Sequence, residues 1–211
     1  MTNQRGTAMW WKALDQQAGE LTRHFENNPC SVHPTAEVAP TATLAGDVHV
    51  GAGAKICHGA YIQGPAWIGD NCLVGNLAMI RGPLRLGAGS RIGFATEVKN
   101  AIIEENVSIG PQCFIADSKI EACAYLGAQV RTSNHRLDRQ TIHVMVNGEL
   151  VDTGLEKLGA LIGARASLGI QVIVLPGRAI APDTLFEPRI TVAKNLPTGR
   201  YRLMQQTVAL T

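Results

Sequence analysis

The chain has 211 residues, of which 45% are hydrophobic but only 5% aromatic, and its formal net charge is +2. This length is enough for one large domain or two small ones, and the scarcity of aromatic residues indicates a thin, aliphatic core. The 22 glycines and 10 prolines favour many short strands over a helical bundle. Lys and Arg are scattered, which argues against a nucleic-acid-binding stripe. No apolar stretch reaches the length of a membrane span.

The cysteines and the N-terminal residues indicate the cellular compartment of the protein. The five cysteines are odd in number and include no C-x-x-C pair, so reduced thiols are expected. The first residues contain no apolar segment typical of a signal peptide. We therefore expect a soluble, cytoplasmic protein with no membrane or nucleic-acid partner.

Residues 8–27 are predicted to form a helix, because apolar side chains recur at steps of three and four until Pro29. The stripe consists of Trp10, Trp11, Leu14, Ala18, Leu21 and Phe25. Residues 1–29 would thus be a helix and its linker. We expect the apolar stripe to cap the open end of the domain that follows, or else to pack on a neighbouring subunit.

From residue 30 onward, an aliphatic side chain recurs at every sixth position. The first run is Val32, Val38, Leu44, Val50, Ile56, Ile62, Ile68, Val74, Ile80, Leu86, Ile92 and Val98. A small residue usually follows four positions later. Three short strands joined by tight turns would make one triangular coil of about eighteen residues, with its aliphatic side chains inside. One coil cannot bury its own face, so the coils must stack and their strands must pair in parallel. The pattern predicts a parallel β-helix of about seven coils over residues 30–199.

The repeat slips by one residue twice and is then interrupted. It continues as Ile103, Ile109 and Ile115, then as Ile120 and Leu126, and it resumes at Ile162, Leu168, Val174, Ile180 and Phe186. The interruption is an insertion at about 133–159. Residues 200–211 are expected to be a short tail.

The insertion is predicted to contain a β-hairpin. The segments 141–146 and 149–153 flank Asn147-Gly148, the preferred pair for a type I′ turn. A long excursion from such an economical coil is usually functional. We therefore expect an arm that helps to form a site, although an arm that only contacts another subunit is the alternative.

The hexad, with its frequent glycine after the aliphatic residue, resembles the hexapeptide-repeat transferases, whose fold is a left-handed parallel β-helix. From about residue 61 to 199 the chain resembles a narrower group. These are the acetyltransferase half of the bifunctional bacterial enzymes that make UDP-N-acetylglucosamine, and the C-terminal domains of sugar-1-phosphate nucleotidyltransferases. The stretches that carry the resemblance are Glu97-Val-Lys-Asn100, Leu126-Gly-Ala128, Thr132-Ser-Asn134 and 153–163.

This resemblance implies a reaction and an assembly. The protein would be a transferase that uses acetyl-CoA as acyl donor and needs no metal. Its acceptor would be an amino or hydroxyl group of a sugar phosphate or nucleotide sugar. The resemblance also implies a homotrimer, with acetyl-CoA lying along the outer face of the C-terminal coils between two subunits.

The resemblance assigns roles to four residues. Arg81 and Lys99 match cations that contact a substrate phosphate, Asn134 matches an active-site asparagine, and Lys157 matches a lysine that reaches the substrate from the insertion. A phosphorylated substrate needs fixed cations, and Arg can grip phosphate with two hydrogen bonds. The alternative for Arg81 and Lys99 is an ordinary surface salt bridge.

The chain departs from the family at the general base. The family stretch H-x-x-Y-x-G-D reads Pro111-Gln-Cys-Phe-Ile-Ala-Asp117 here, so Pro111 replaces the histidine and Phe114 replaces the tyrosine. Proline cannot accept a proton. His135, at the start of the insertion, is therefore our candidate catalytic base, with His143 as second choice, because a neutral imidazole suits this task near pH 7. The alternative is that His135 is a polar loop residue or a substrate contact.

The replaced base supports a second hypothesis, a catalytically inactive module that binds a sugar phosphate or nucleotide and regulates or scaffolds a partner. Two other classes are excluded by sequence. No H-x-x-x-H pair exists for the zinc site of γ-class carbonic anhydrases. The glycine-rich start of the nucleotidyltransferases is also missing, so the chain is not expected to make nucleotide sugars.

Overall fold

The computed structural model describes residues 9–28 and 30–204, which form one helix followed by a wall of short parallel strands. In chain order the elements are α1 (Lys12–Asn27), β1 (Ser31–Val32), β2 (Glu37–Val38), β3 (Thr43–Ala45), β4 (Val48–Val50), β5 (Lys55–Ile56), β6 (Tyr61–Gln63), β7 (Ala66–Ile68), β8 (Leu73–Val74), β9 (Met79–Leu86), β10 (Arg91–Ile92), β11 (Glu97–Ile103), β12 (Ser108–Ile109), β13 (Phe114–Ile120), β14 (Tyr125–Leu126), β15 (Arg131–Thr132), β16 (His143–Val146), β17 (Glu149–Asp152), β18 (Leu161–Ile162), β19 (Ser167–Leu168), β20 (Ile173–Val174), β21 (Ala179–Ile180), β22 (Leu185–Phe186), β23 (Thr191–Val192) and β24 (Arg200–Tyr201).

The strands form three faces of a triangular prism. Face 1 begins with β1, β4 and β7, face 2 with β2, β5 and β8, and face 3 with β3 and β6. The longer strands β9, β11 and β13 pair with face 3 through their first halves and with face 1 through their second halves. They therefore bend around the edge between these faces. We call this edge the bent corner; it contains Gly82, Asn100, Asp117 and the insertion 133–159.

The ladder register agrees with the sequence pattern, including both slips. Ser31 and His49 pair at a separation of 18 residues, whereas Asn100 and Asp117 face each other at a separation of 17. The first slip is an irregularity in the pairing of β9 and β11 between Lys99 and Ala101. Among the described residues face 2 has nine strands, so the predicted count of about seven coils was too low. Thr132 is one inward residue that the aliphatic pattern missed, because it is polar.

The core is a set of aliphatic ladders inside the prism, and most of their members are fully buried. Removing this apolar surface from water is the main force that holds the coils together. Where the small residue at a corner is polar, its side chain also links neighbouring coils by a hydrogen bond. The Ser90 and Thr96 hydroxyls donate 2.8 Å hydrogen bonds to carbonyl oxygens of the next coil. All five cysteines are free thiols.

Helix α1 does not cap the prism, and our expectation of a cap was wrong. Val32, near the N-terminal end of the wall, is 47% exposed. The helix instead contacts β9, β11 and β13 on the outside of the wall. Trp10 and Trp11, just before the helix, and Leu14 within it form one buried cluster with residues of the insertion and its flank, namely Ile142, Val144, Leu158 and Leu161. The insertion supplies the apolar partner that the sequence pattern could not locate.

The ends of the elements refine the predicted boundaries. Helix α1 begins at Lys12 and ends at Asn27, while residue 8 and Pro29 lie outside the described residues. This helix is too short and too polar to cross a bilayer, and no other helix occurs in the part of the chain that the structure describes. The wall continues to β24, past residue 199 where we expected it to end; residues 205–211 of the predicted tail are outside the description.

The predicted hairpin is confirmed. Strands β16 and β17 pair antiparallel, from His143 opposite Asp152 to Val146 opposite Glu149. Asn147 and Gly148 have φ angles of 50° and 89°, the left-handed backbone that a type I′ turn requires.

A histidine–tryptophan stack joins α1 to the N-terminal coils. The rings of His49 and Trp67 are stacked at 3.8 Å, and His24 of α1 meets the same indole edge-on at 5.1 Å. Burial lowers the pKa of His49, and repulsion from His24 and His33 adds to this effect, while Asp70 opposes it. The folded state therefore favours the neutral imidazole.

This shift predicts a pH-dependent stability. The unfolded chain takes up a proton at His49 more readily than the folded one, so stability is complete above the unfolded pKa of about 6.5 and declines as pH falls below it. We expect the difference in Tm between pH 7.5 and 5.5, measured by circular dichroism, to shrink in His49→Gln. His58→Gln is the control, since His58 bonds Thr41 away from the stack. An unchanged difference in His49→Gln would contradict this account.

Candidate active site

The bent corner brings all five sequence-predicted site residues to one edge of the prism. Arg81 and Lys99 are direct neighbours in the ladder between β9 and β11. Asn134 and His135 follow β15 where the insertion begins. His135 then forms an isolated antiparallel bridge with Lys157 at the other end of the insertion. Since residues opposite each other in an antiparallel bridge project to the same side, the His135 and Lys157 side chains share one surface.

A buried carboxylate lies at the centre of this corner. Asp117 is 5% exposed. Its Oδ1 accepts a 2.8 Å hydrogen bond from Asn100 Nδ2, and its Oδ2 accepts a 2.6 Å bond from Asn134 Nδ2. Lys99 Nζ is 3.8 Å from the same Oδ2. Three polar side chains, from the coil before Asp117 and the coil after it, thus converge on one acid.

No sequence pattern assigned a role to Asp117 or Asn100. Both have left-handed backbone, with φ angles of 48° and 44°, and Asn and Asp are the non-glycine residues that best tolerate it. The sequence signal that could have identified them is that an Asn and an Asp stand at the two places where the hexad slips. The strained backbone turns both side chains toward the edge of the prism.

The base of the insertion closes directly on Asp117. Leu158 N donates to Asn134 O at 2.9 Å, and Gly159 N donates to Asp117 O at 2.8 Å. The buried Ser118 hydroxyl donates to Ala116 O at 2.6 Å and accepts from Ala160 N at 3.0 Å. The bonds from Gly159 N and Ala160 N fix the end of the insertion against β13, and the bond from Leu158 N closes its two ends on each other. The positions of His135 and Lys157 are therefore set by the wall.

The cations of the corner differ in their partners. Arg81 forms an ion pair with Glu97, and Lys99 lies beside Asp117. The alternative of an ordinary salt bridge thus describes both residues in this structure. The Arg81 side chain keeps 39% of its surface exposed. Lys157 is exposed and forms no ion pair with any described residue.

A groove runs from His135 along the C-terminal coils. Its larger part has a volume of about 530 Å³ and is lined by Ser133, His135, Arg136, Leu137, Asp138, Leu175 and Pro176. A smaller part of about 220 Å³ shares Arg136, Leu175 and Pro176 and adds Ile142, His143, Arg178 and Ala193. His135 and His143 therefore line neighbouring parts of one groove.

The groove combines cations with apolar surface. Arg178 donates to the His143 carbonyl at 3.1 Å, and burial, followed by repulsion from Arg136, lowers its pKa. Arg136 is paired with Asp138. Leu137 is completely exposed at the mouth. Within residues 9–28 and 30–204, no cluster of three or more His, Cys, Asp or Glu side chains is placed to hold a metal ion.

Pro111 lies elsewhere. It sits in the turn between β12 and β13, where its carbonyl accepts from Gln129 N at 2.9 Å. That turn is the corner between faces 2 and 3 and belongs to a different edge of the prism from Asp117. Within one chain, the position of the family histidine is thus separate from the groove that contains His135.

These features define a class by fold: a parallel β-helix with an inserted arm that closes on one edge of the coils. Comparison with known proteins gives the family. The two Escherichia coli acetyltransferases named YaiX, both described as uncharacterized, are 48% identical to the chain, and the alignment spans 98% of it and 92% of each relative. The chain belongs to the hexapeptide-repeat family of acyltransferases.

Further comparisons support the family and the fold. The bifunctional sugar-1-phosphate nucleotidylyltransferase/acetyltransferase of Sulfurisphaera tokodaii is 31% identical over 78% of the chain, which corresponds to 41% of that protein. The sequence profile of the GMPPB C-terminal domain matches residues 26–120. The structure of LpxA from Acinetobacter baumannii aligns with a TM-score of 0.50 at 14% identity, over 79% of this chain and 68% of that one. This likeness confirms the left-handed parallel β-helix.

Proposed function

We propose that the protein transfers an acyl group, most simply acetyl, from coenzyme A to an amino or hydroxyl group of a sugar phosphate or nucleotide sugar. The observation that carries the proposal is the convergence of Arg81, Lys99, Asn134, His135 and Lys157 on the bent corner. The acyltransferase family supports the reaction type, and the relatives that join a sugar-1-phosphate nucleotidylyltransferase to an acetyltransferase support the acceptor class.

The groove fits the acyl donor. Leu137, Leu175 and Pro176 provide an apolar surface for a pantetheine arm, while Arg136 and Arg178 provide charge for phosphates. When bound, the thioester supplies an activated acyl group. We further propose that the protein works as a homotrimer, in which a second copy covers Leu137 and the open side of the groove.

His135 is proposed as the general base. Its imidazole lines the groove beside the acceptor region and accepts the proton that the attacking amine or hydroxyl releases. Asn134 hydrogen-bonds the acceptor, and Arg81, Lys99 and Lys157 bind its phosphate. Arg81 and Lys99 exchange part of their present ion pairs for the phosphate, and Lys157 reaches it from the insertion.

A second candidate function is a binding module without catalysis. Two observations favour it: Pro111 stands at the family base, and Arg81 and Lys99 already have carboxylate partners. The same corner would then hold a sugar phosphate or nucleotide and regulate or scaffold another protein.

One experiment separates the two functions. Purified protein is incubated with acetyl-CoA and a panel of amino-sugar phosphates and nucleotide sugars, while free thiol is measured with a chromogenic disulfide and products are measured by mass spectrometry. Thiol release that depends on an acceptor, with a product heavier by one acetyl group, is expected. Acceptor binding by calorimetry without any thiol release would overturn the transferase and favour the binding module.

A further inference from the structure

Asp117 is a buried acid to which neither the comparisons nor the roles proposed above give a task. It lies under the bent corner with 7% of its side chain exposed. An ionised carboxylate can only accept hydrogen bonds. Both asparagines that touch it must therefore turn their NH2 groups inward, as the 2.8 Å and 2.6 Å contacts require. Hydrogen bonding to the carboxylate thus fixes the orientation of each amide.

This orientation leaves two carbonyl oxygens free of the acid. Among the described residues, neither Asn100 Oδ1 nor Asn134 Oδ1 accepts a hydrogen bond from the protein. Neither is among the buried polar atoms that lack a partner, which are Trp10 Nε1, Gln17 Oε1 and Arg81 Nε. Both oxygens are therefore accessible to solvent, one in the coil before Asp117 and one in the coil after it.

We propose that Asp117 is a positioning residue that locks the amides of Asn100 and Asn134 so that the corner presents a pair of hydrogen-bond acceptors to the substrate. A pair of fixed acceptors, one on each side of Asp117, selects an acceptor substrate that carries at least two separate N–H or O–H donors, such as neighbouring hydroxyl groups. This inference rests on the proposed transferase function and adds the reason why Asn134 faces the acceptor with its oxygen.

The backbone supports this role. Asn100 and Asp117 both have positive φ angles. Their side chains therefore project toward the bent corner, whereas the side chains of extended residues would point into or out of the prism. Lys99 Nζ lies 3.8 Å from Asp117 Oδ2 and pairs with the acid without occupying either acceptor oxygen. Asp117 also anchors the insertion through its carbonyl, which accepts from Gly159 N at 2.8 Å. That second contact is made by the backbone and survives a side-chain substitution.

The test separates the side-chain role from folding. In nuclear magnetic resonance spectra, the Asn100 and Asn134 side-chain NH2 signals are assigned with Asn100→Ser and Asn134→Ser. We expect these protons to exchange slowly with solvent in the wild type, and Asp117→Asn to shift both signals and speed exchange at least tenfold. Asp183→Asn, which breaks only the exposed pair with Arg165, should leave them unchanged. Signals that do not move in Asp117→Asn would overturn the proposal.

Kinetics with the acceptor found for the wild type provide the functional readout. Asp117→Asn should lower kcat about 50-fold or more, with the KM for acetyl-CoA within twofold, at a temperature well below its Tm. A loss of less than threefold, in a protein whose amide signals have moved, would overturn the role in catalysis. If the wild type turns over no acceptor, the proposed function fails, and the NMR result still decides whether Asp117 locks the two amides.

Discussion

His135→Ala is expected to lower kcat for acyl transfer by about 10²–10⁴-fold, the usual contribution of a general base. The physical reason is that the attacking amine or hydroxyl must lose a proton as the new bond forms, and alanine cannot accept it. The KM for acetyl-CoA should change little, because His135 is one of several groups that line the groove. Steady-state kinetics, followed by thiol release, measure both quantities.

His143→Ala is the matched control. His143 lines the adjoining part of the same groove, so its loss changes the same surface by a similar volume. Its kcat should stay within about threefold of the wild type, far from the range expected for a general base. If His143→Ala has the larger effect, the base has been assigned to the wrong histidine. If neither variant differs from the wild type, catalysis depends on positioning without a histidine base.

Gly159→Ala is expected to have the largest effect on stability. A Cβ at this position would lie 2.0 Å from Ala116 O and 2.1 Å from Ser118 Oγ. Both contacts are far inside van der Waals distance, and Ala116 O is backbone that cannot rotate away. Overpacking of this kind costs about 1–3 kcal/mol, and the displaced insertion would also lose its bonds to Asp117 and Ser118. We expect Tm to fall by several degrees, measured by calorimetry, together with transferase activity.

Gly19→Ala is the control for Gly159→Ala. Gly19 lies within α1, and no atom outside the helix lies within 4 Å of a Cβ placed there. Alanine is favoured over glycine inside a helix by about 1 kcal/mol, so Tm should stay the same or rise. If Gly159→Ala also keeps its Tm, the close contact at Gly159 is relieved by movement of the insertion.

The fold was predictable because each strand of the repeat contains one inward aliphatic residue, and these residues recur at a fixed interval of six. That periodicity located the wall, the two slips and the insertion without any knowledge of contacts. The hairpin was also predictable, since Asn147-Gly148 specifies its turn locally. Thr132 escaped the pattern because a hydroxyl replaces a methyl group at an inward position, where it accepts a hydrogen bond from Ala116 N.

The site was less predictable, because its central contacts join residues from different coils. The hydrogen bonds of Asp117 reach Asn100 and Asn134, each 17 residues away, and no local pattern marks them. The packing of α1 was mispredicted for the same reason. An amphipathic stripe shows that a helix buries one side, but its partner, including Ile142 and Leu158, depends on where the insertion lies. The roles of Arg81, Lys99, Asn134, His135 and Lys157 remain predictions.

The packing of α1 has a consequence for the order of events during synthesis. A chain emerges from the ribosome N-terminus first, and α1 is complete long before the surface that it covers: Gln17 bonds Ala101, 84 residues later, and the insertion follows later still. An isolated helix of 16 residues is only marginally stable in water. Trp10 and Trp11 therefore stay accessible to chaperones until the C-terminal coils are made. They are buried only when the completed insertion packs against them.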